Sequence, residues 1–442
     1  MKIVVALCSA VVWGSGQLIN KQWLKGLIFF FMQCILFFVE LTSGTLDVIT
    51  GAVEPAFRNC GYFIKGLWGL FTLGDILRES SATLVFDHSI MLLIGGLIST
   101  VILLIFALIW LWNITDAYRA RRIMEQGKKM SSIAYFKSLW KSSFEYIMIT
   151  PGAILVLFIC VVPVLFSILI AFTNYNSSAI PPGTLVDWVG FKTFGDIIRI
   201  PIWGSTFTRV LSWTVIWAFL ATFTAFVFGM LQAVLINAKG IRFKPAWRGV
   251  FILPWAVPVL VSLLLFKQLF HTEGVFNQML LDVGFITAPI PFLNDTNWAR
   301  TVLILVNMWL HFPFFMTLIS AAMTSISPEL HEAVEIDGGN AWHKFKNISL
   351  PTIMTATAPM VVMNMTSNFN NFGGVYFLTG GGPRDPSMQM AGTTDILISW
   401  IFKLTLEHRM YNIASAISIL IFIVIATISA FNLMRTRSFK ED

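Results

Sequence analysis

Long apolar runs alternate with short polar segments along most of this chain. A helix needs about 20 mostly apolar residues to cross the hydrocarbon of a bilayer, and several runs reach that length. The pattern predicts eight transmembrane helices at 23–42, 90–113, 147–173, 210–236, 249–270, 301–323, 352–378 and 411–433. The predicted fold class is therefore an all-α polytopic membrane protein.

A further apolar segment, 3–19, precedes the first predicted span. It contains Gly14, Ser15 and Gly16 and lacks the small-residue cleavage site of a signal peptide. We expect a re-entrant or interfacial segment here. A ninth span, which would place the extreme N-terminus outside, is the alternative left open.

The composition is typical of a protein that is embedded in a lipid bilayer. Charged residues make up 12% of the chain and hydrophobic residues 56%, whereas soluble domains carry about 25% charged residues. The mean hydropathy is +0.76. The net charge is +7, and the basic residues lie in loops beside the spans. This placement is typical of cytoplasmic loops of membrane proteins, so we expect membrane lipid as a partner and no nucleic acid.

Basic residues cluster in three segments that fall on one side of the eight-span topology. This bias identifies that side as the cytoplasm. The residues are Arg119, Arg121, Arg122, Lys128, Lys129, Lys137 and Lys141 in the loop 114–146, Lys239, Arg242, Lys244 and Arg248 in 237–248, and Arg435, Arg437 and Lys440 in the tail. The opposite loop, 271–300, contains a single lysine or arginine, which is Arg300.

The chain lacks the usual residue patterns of metal sites and catalytic centres. Its four cysteines form no CxxC pair, and no HExxH cluster occurs. We therefore predict no metal site, no disulfide framework and no catalytic residues, and a membrane-embedded enzyme is only a remote alternative.

One cytoplasmic loop, 327–351, has the sequence SPELHEAVEIDGGNAWHKFKNISLP. Ser327 is a candidate N-cap and Pro328 suits a first helical turn. Gly338 and Gly339 offer a helix stop, and a second short helix is predicted over 341–348. From these residues alone, a solvated connector and a helix that docks into a partner both remain open.

The loop resembles the EAA loop of ATP-binding-cassette (ABC) importer permeases. The matching residues are Glu332, Ala333, Asp337, Gly338, Ile348, Leu350 and Pro351. Val334 replaces the usual second alanine, and Gly339 replaces a frequent alanine. The resemblance implies that residues 332–338 form the helix that couples to the ATPase subunit, with Glu332, Ala333, Asp337 and Gly338 as coupling residues. Such a loop also argues against a passive channel.

The chain contains no GxxxxGK[ST] phosphate loop. The resemblance therefore implies that ATP and Mg bind to a separate ATPase dimer, that this chain binds no cofactor, and that it is not itself an enzyme. It also implies a second homologous permease subunit, an extracellular sugar-binding protein and a bacterial plasma-membrane location.

Several short motifs resemble the carbohydrate branch of that family, and the maltose and maltodextrin permeases of the MalF type in particular. They are AFTNY at 171–175, VGF at 189–191, NFNNF at 368–372, LTGGGP at 378–383 and AGTTD at 391–395. The resemblance covers 147–442 and implies a type I importer permease domain. Residues 1–146 then add N-terminal membrane segments and a basic cytoplasmic linker. The loop 174–209 lacks the large insertion of the enterobacterial members.

A stripe of amides marks the seventh predicted span. Asn364, Asn368 and Asn371 are spaced by four and three residues, which predicts one helix face, and Ser367 lies beside them. Amides offer both donors and acceptors, which suits sugar hydroxyls. Hydrogen bonding between helices is the alternative left open.

The resemblance implies that these four residues contact sugar. In the sixth span it adds Leu310, His311 and Phe314, where His311 replaces a small residue of well-known relatives. The implied cargo is maltose or maltodextrin, and the same machine for galacto-oligosaccharides or raffinose-type sugars is the alternative.

Overall fold

The computed structural model describes residues 2–44, 60–76, 87–126, 132–238 and 240–435. Within these ranges the regular structure is helical, and β-structure is limited to two isolated bridges, Thr173–Trp188 and Arg384–Gly392. The predicted all-α fold class is confirmed. The helices are α1 (Lys2–Val11), α2 (Ser15–Ile19), α3 (Trp23–Ser43), α4 (Tyr62–Thr72), α5 (Ser89–Glu125), α6 (Ser132–Val156), α7 (Val162–Ile170), α8 (Lys192–Arg199), α9 (Pro201–Asn237), α10 (Lys244–Ala256), α11 (Val259–Leu269), α12 (Val275–Asp282), α13 (Thr296–Thr324), α14 (Pro328–Ile336), α15 (Ala341–Lys344), α16 (Leu350–Phe369), α17 (Phe372–Thr379), α18 (Leu397–Phe402) and α19 (Tyr411–Arg435).

Three single π-helical turns continue these helices. They are Leu157–Val161 between α6 and α7, Phe345–Ser349 between α15 and α16, and Lys403–Glu407 after α18. Because the first two turns leave no gap in the chain, α6 with α7 and α15 with α16 each act as one long helix.

Six helical segments of the described chain are long and apolar enough to cross a membrane, or seven if one bent pair counts as a span. They agree with the predicted spans 23–42, 90–113, 147–173, 210–236 and 301–323, and with most of 352–378. The predicted span 411–433 lies within α19, which has a shorter apolar stretch, Tyr411–Ile423. The predicted count of eight is therefore approximate.

The predicted span 249–270 is not one straight helix. It consists of α10 and α11, which meet at an angle of 87°. Val257 between them has an extended backbone with ψ 130°, the conformation favoured before a proline. Pro258 has no N–H to continue the helical ladder, so the chain turns here.

The predicted span 352–378 is interrupted as well. Helix α16 ends at Phe369, and Asn371 becomes the N-cap of α17 because its side chain accepts a hydrogen bond from the Gly374 N–H at 3.0 Å. The expectation that Asn364, Asn368 and Asn371 share one continuous helix face is therefore wrong. An asparagine satisfies the free N–H groups at a helix start, and this preference overrides the helical periodicity.

Segment 3–19 forms two short helices instead of a ninth span. Helix α1 has 10 residues, which extend about 15 Å at 1.5 Å per residue, well short of the about 30 Å of hydrocarbon. Gly14 turns the chain with φ +82°, and a Cβ there would lie 2.0 Å from the Gly26 carbonyl oxygen. Only glycine therefore fits at this turn.

Some of the basic residues that define the cytoplasmic side lie outside the described residues. They are Lys128, Lys129, Lys239, Arg437 and Lys440. Arg119, Arg121 and Arg122 belong to the last turns of α5, so the first part of the predicted linker is helical.

The chain divides into two units, one of residues 1–193 with 410–419 and one of residues 194–409 with 420–442. The boundary between 146 and 147 rests on family resemblance and stays a prediction.

The first unit contains a buried ion pair between α3 and α5. Lys25 Nζ lies 3.1 Å from Asp116 Oδ1, and the two side chains are 3% and 9% exposed. Gln17 Nε2 donates to Asp116 Oδ2 at 3.2 Å and to the Asn113 carbonyl at 2.9 Å. This polar cluster joins α2 and α3 to α5.

In the second unit, α9 and α13 pack closely along one another. A Cβ on Gly229 would lie 2.7 Å from the Phe315 Cβ and 2.9 Å from the Met316 backbone nitrogen. Phe226 packs its ring edge against Phe315 with centroids 5.5 Å apart. Only glycine permits this approach, which brings the two helix backbones together.

Replacing Lys25 by methionine should lower the midpoint of thermal unfolding of the purified protein, because Asp116 is left buried without its cation. Removal of one partner of a buried pair costs about 3–5 kcal/mol. Lys65→Met is the matched control, because Lys65 is exposed in α4. Adding Asp116→Leu to Lys25→Met should recover part of the loss; a double variant no more stable than Lys25→Met would contradict the pairing.

Candidate functional site

Three buried or half-buried asparagines connect α13, α16 and α17 by their side chains. Asn371 Nδ2 donates to Asn307 Oδ1 at 3.2 Å and to Asn368 Oδ1 at 3.3 Å. Asn368 Nδ2 donates to Thr222 Oγ1 on α9 at 2.9 Å and to Asn364 Oδ1 at 3.1 Å. Four helices therefore meet in one amide network.

Backbone groups fix the orientation of this network. Asn371 Oδ1 accepts from the Gly374 N–H, so its amide nitrogen must be the donor to its neighbours. Asn307 Nδ2 donates to the Ala221 carbonyl at 3.3 Å, so its oxygen faces Asn371. The amides of Asn368 and Asn371 thus serve interhelical bonding, as one of the two sequence-based alternatives expects.

Sequence reasoning missed Asn307. The signal was available, because Asn307 is an amide within the apolar run 301–323, four residues before His311. It is 5% exposed, and its carbonyl accepts a hydrogen bond from His311 Nδ1 at 3.0 Å.

The seven candidate sugar-contact residues do not all face one space. Leu310, His311 and Asn371 line a small cavity with Asn307 and Trp217. Phe314 packs instead against Trp255 with ring centroids 6.2 Å apart.

On α16 the candidates differ in exposure. Ser367 is exposed, Asn364 is half-buried and Asn368 is 2% exposed. The Ser367 hydroxyl forms no hydrogen bond within the described part of the chain. Asn364 and the neighbouring Ser367 are thus the accessible polar candidates on α16.

The small cavity has a volume of about 20 Å³. A single water needs about 10–15 Å³ measured in this way, so the space holds about one water and no sugar unit. A ligand of that size would fit only if the helices that line the cavity moved apart.

The loop 327–351 forms a helix, a glycine turn and a second helix, as predicted. Ser327 occupies the N-cap position of α14, as predicted, although its side chain makes no capping hydrogen bond. Gly338 has φ +76° and Gly339 does not have a positive φ. A Cβ on Gly339 would lie 2.4 Å from Val334 Cγ1, which explains why a glycine is required at that position.

The four candidate coupling residues are all exposed on or just after α14. Asn340 caps the second helix through the His343 N–H at 3.0 Å, and Lys344 pairs with Glu335 across the turn. The Lys344–Glu335 pair connects the two helices of the loop without using Glu332 or Asp337. Both carboxylates therefore remain available on the surface.

The predicted second helix does not end before the next span. It continues through the π-helical turn into α16. Trp342 and Phe345 lie on one face with ring centroids 5.8 Å apart, and Trp342 is 62% exposed. The continuous helix connects the loop to the amide network on α16, with Pro359 inside it.

A buried carboxylate organises the segment between α17 and α18. Asp395 Oδ2 lies 2.7 Å from Lys403 Nζ and accepts the Gly392 N–H at 2.7 Å, and Ser399 Oγ donates to Oδ1 at 2.8 Å. Burial raises the pKa of the Asp395 carboxyl, and the Lys403 ammonium opposes that shift. The AGTTD motif of residues 391–395 is thus held by internal contacts.

Relatives of known class resemble the chain along nearly its whole length. The galactooligosaccharides transport system permease protein GanP of Bacillus subtilis (strain 168) is 36% identical over 440 residues, 99% of each chain. The maltodextrin transport system permease protein MdxF of the same organism is 33% identical over 442 residues, 98% of this chain and 95% of that protein. The maltose/maltodextrin permease protein MalF of Escherichia coli (strain K12) is 32% identical over 268 residues, 60% of this chain and 52% of that protein.

The fold also resembles a solved structure. A bacterial ABC transporter involved in the import of the acidic polysaccharide alginate contains a chain with TM-score 0.53 and 24% identity, which covers 69% of this chain and 99% of that one. This likeness establishes the permease fold.

The family described as "binding-protein-dependent transport system inner membrane component" matches residues 225–437. This range contains the 327–351 loop and all seven candidate sugar-contact residues. The chain therefore belongs to the carbohydrate branch of the ABC importer permeases and is a multi-pass plasma-membrane protein.

Proposed function

We propose that this chain is the transmembrane subunit that moves a maltodextrin-class oligosaccharide across the membrane, driven by ATP hydrolysis on separate ATPase subunits. The observation that carries the proposal is the exposed 327–351 loop, continuous with the helix that bears the amide network. The loop and the candidate pocket then lie at the two ends of one continuous helical segment.

The partners follow from this arrangement. An ATPase dimer holds ATP and Mg and binds the coupling residues Glu332, Ala333, Asp337 and Gly338. A second homologous permease supplies the other half of the pathway, and an extracellular binding protein delivers the sugar. A solved alginate transporter in complex with an oligosaccharide-bound periplasmic protein supports the last partner.

Transport requires that the pocket open to one side at a time. ATPase closure moves the 327–351 loop, and α16 transmits this movement to the asparagines. Separation of α13, α16 and α17 exposes Asn364, Ser367, Asn368 and Asn371 from one side and Leu310, His311 and Phe314 from the other. Amides released from each other then bind sugar hydroxyls, so the same groups serve both states.

A galacto-oligosaccharide is the second candidate cargo. The 36% identity to GanP is higher than the 33% identity to MdxF, and hydroxyl-binding amides suit either sugar. Comparison of labelled maltotetraose with a labelled galacto-oligosaccharide, in vesicles that contain the permease with its genomic partners, decides between them. Uptake of only the galacto-oligosaccharide would keep the transport function and overturn the preferred cargo.

Charge reversal at Glu332 or Asp337 should abolish ATP-dependent uptake while the complex still assembles, because each variant places a cation on the surface that contacts the ATPase. Uptake and the yield of purified complex are measured together. Glu273→Lys, a reversal at an exposed residue of the opposite loop, is the matched control. Normal uptake by both Glu332→Lys and Asp337→Lys would show that these carboxylates are not coupling residues.

Ser367→Ala and Asn368→Ala should separate sugar contact from helix packing. Both should lower maltotetraose uptake, by up to about ten-fold for one lost hydrogen bond to sugar. Only Asn368→Ala should also lower the thermal unfolding midpoint, because it leaves buried partners unsatisfied, at a cost of about 1–3 kcal/mol. Unchanged uptake in the Ser367 variant would remove that residue from the pocket.

A further inference from the structure

A surface groove lies beside the small cavity and is far larger. One part of it, of about 400 Å³, is lined by Lys267, Tyr376, Arg384, Lys403 and Glu407 among others. A second part, of about 300 Å³, shares Arg384, Lys403 and Glu407. Both volumes fall within the range of about 300–1,000 Å³ of small-molecule sites.

The groove is at the external end of the spans. Helix α16 leads away from the cytoplasmic 327–351 loop, and α17 and the segment 380–396 follow it. Lys267 lies in the last turn of α11, immediately before the loop 271–300, which is opposite the basic segments. A molecule arriving from outside therefore meets the groove before the cavity.

The charges in the groove offer donors and acceptors together. Lys403 is paired with Asp395, and Glu407 Oε1 accepts the Tyr376 hydroxyl at 3.3 Å. Lys267 and Arg384 are exposed and have no ion-pair partner within the described ranges. Hydroxyl groups can donate to Glu407 and accept from the two cations.

Packed aromatic rings support the groove wall. Tyr376 stacks on Phe372 with ring centroids 4.9 Å apart and meets the edge of Phe402 at 4.9 Å. The half-exposed Tyr376 ring is thereby held in one position. A fixed ring with one polar tip suits a ligand that has both apolar faces and hydroxyls.

Helix α17 connects the groove to the small cavity. Gly374 and Leu378 line the cavity, whereas Tyr376 and Phe377 line the groove. Helix α11 divides in the same way, with Leu263 on the cavity and Leu264 on the groove, so α11 and α17 together form the wall between the two spaces. When these two helices separate, a ligand of several linked units that fills the opened cavity would extend into the groove.

We propose that this groove is a carbohydrate subsite, which holds the outer units of a neutral oligosaccharide whose inner units occupy the opened pocket. The subsite rests on the proposed function. It favours longer oligosaccharides, because a disaccharide in the pocket leaves the groove empty.

The test compares uptake of maltotetraose and maltose at saturating loaded binding protein, in vesicles with the complete complex. Glu407→Gln keeps the size of the side chain and removes its charge. The ratio of the maltotetraose rate to the maltose rate should fall about five-fold, as expected for a weakened charged hydrogen bond. Glu273→Gln is the matched control outside the groove and should leave the ratio unchanged.

Lys267→Met is a second variant on the opposite side of the groove, and it should shift the same ratio in the same direction. An unchanged ratio in both variants would overturn the subsite. An equal fall for both sugars would also overturn it and would identify the groove as a docking surface for the binding protein. Absence of ATP-dependent uptake of any oligosaccharide by the unsubstituted complex would overturn the proposed function and the subsite with it.

Discussion

A hydrocarbon solvent offers no hydrogen-bond partner, so every amide placed at membrane depth must find one within the protein. This constraint explains how the second unit is built around Asn307, Asn368 and Asn371. The chain stops α16 at Phe369, which frees backbone groups, and Asn371 satisfies one of them while it bonds two neighbouring asparagines. Asn371 therefore both satisfies the interrupted helix and joins the amide network. Under the proposed function, the same amides bind sugar hydroxyls once the helices separate.

In the first unit, charged side chains satisfy the polar groups of neighbouring helices. Lys25 and Asp116 neutralise each other between α3 and α5, and Glu40 accepts the N–H groups of Phe63 and Ile64 at the start of α4 at 2.8 and 3.3 Å. In each case a side chain of one helix satisfies a group of another. The N-terminal helices are thus a specifically folded part of the protein, with its own polar connections.

Most of the architecture is predictable from hydropathy, because spans need long apolar runs and such runs are hard to miss. The sequence also predicts the helix–glycine turn–helix loop, since Gly338 and Gly339 interrupt a polar amphipathic pattern. The break at Pro258 is not predictable from apolar length alone, because the hydrophobic run continues through it. The break at Asn370 is hidden for another reason, since the spacing of Asn364, Asn368 and Asn371 also fits one continuous helix face. The pairing of Asp395 with Lys403, the role of Asn307 and the groove around Tyr376 depend on contacts between distant segments, which spacing along the chain does not reveal.

The glycine contact between α9 and α13 has a consequence for the mechanics of the chain. With Gly229 against Phe315 and Met316, the two helix backbones are in close contact, and a side chain at that position would force them apart. We expect these two helices to move together. A change of angle between helices is easier where the helical ladder is interrupted, as it is between Val257 and Pro258 and at Asn370. We therefore expect hinge motion of the second unit at these two breaks.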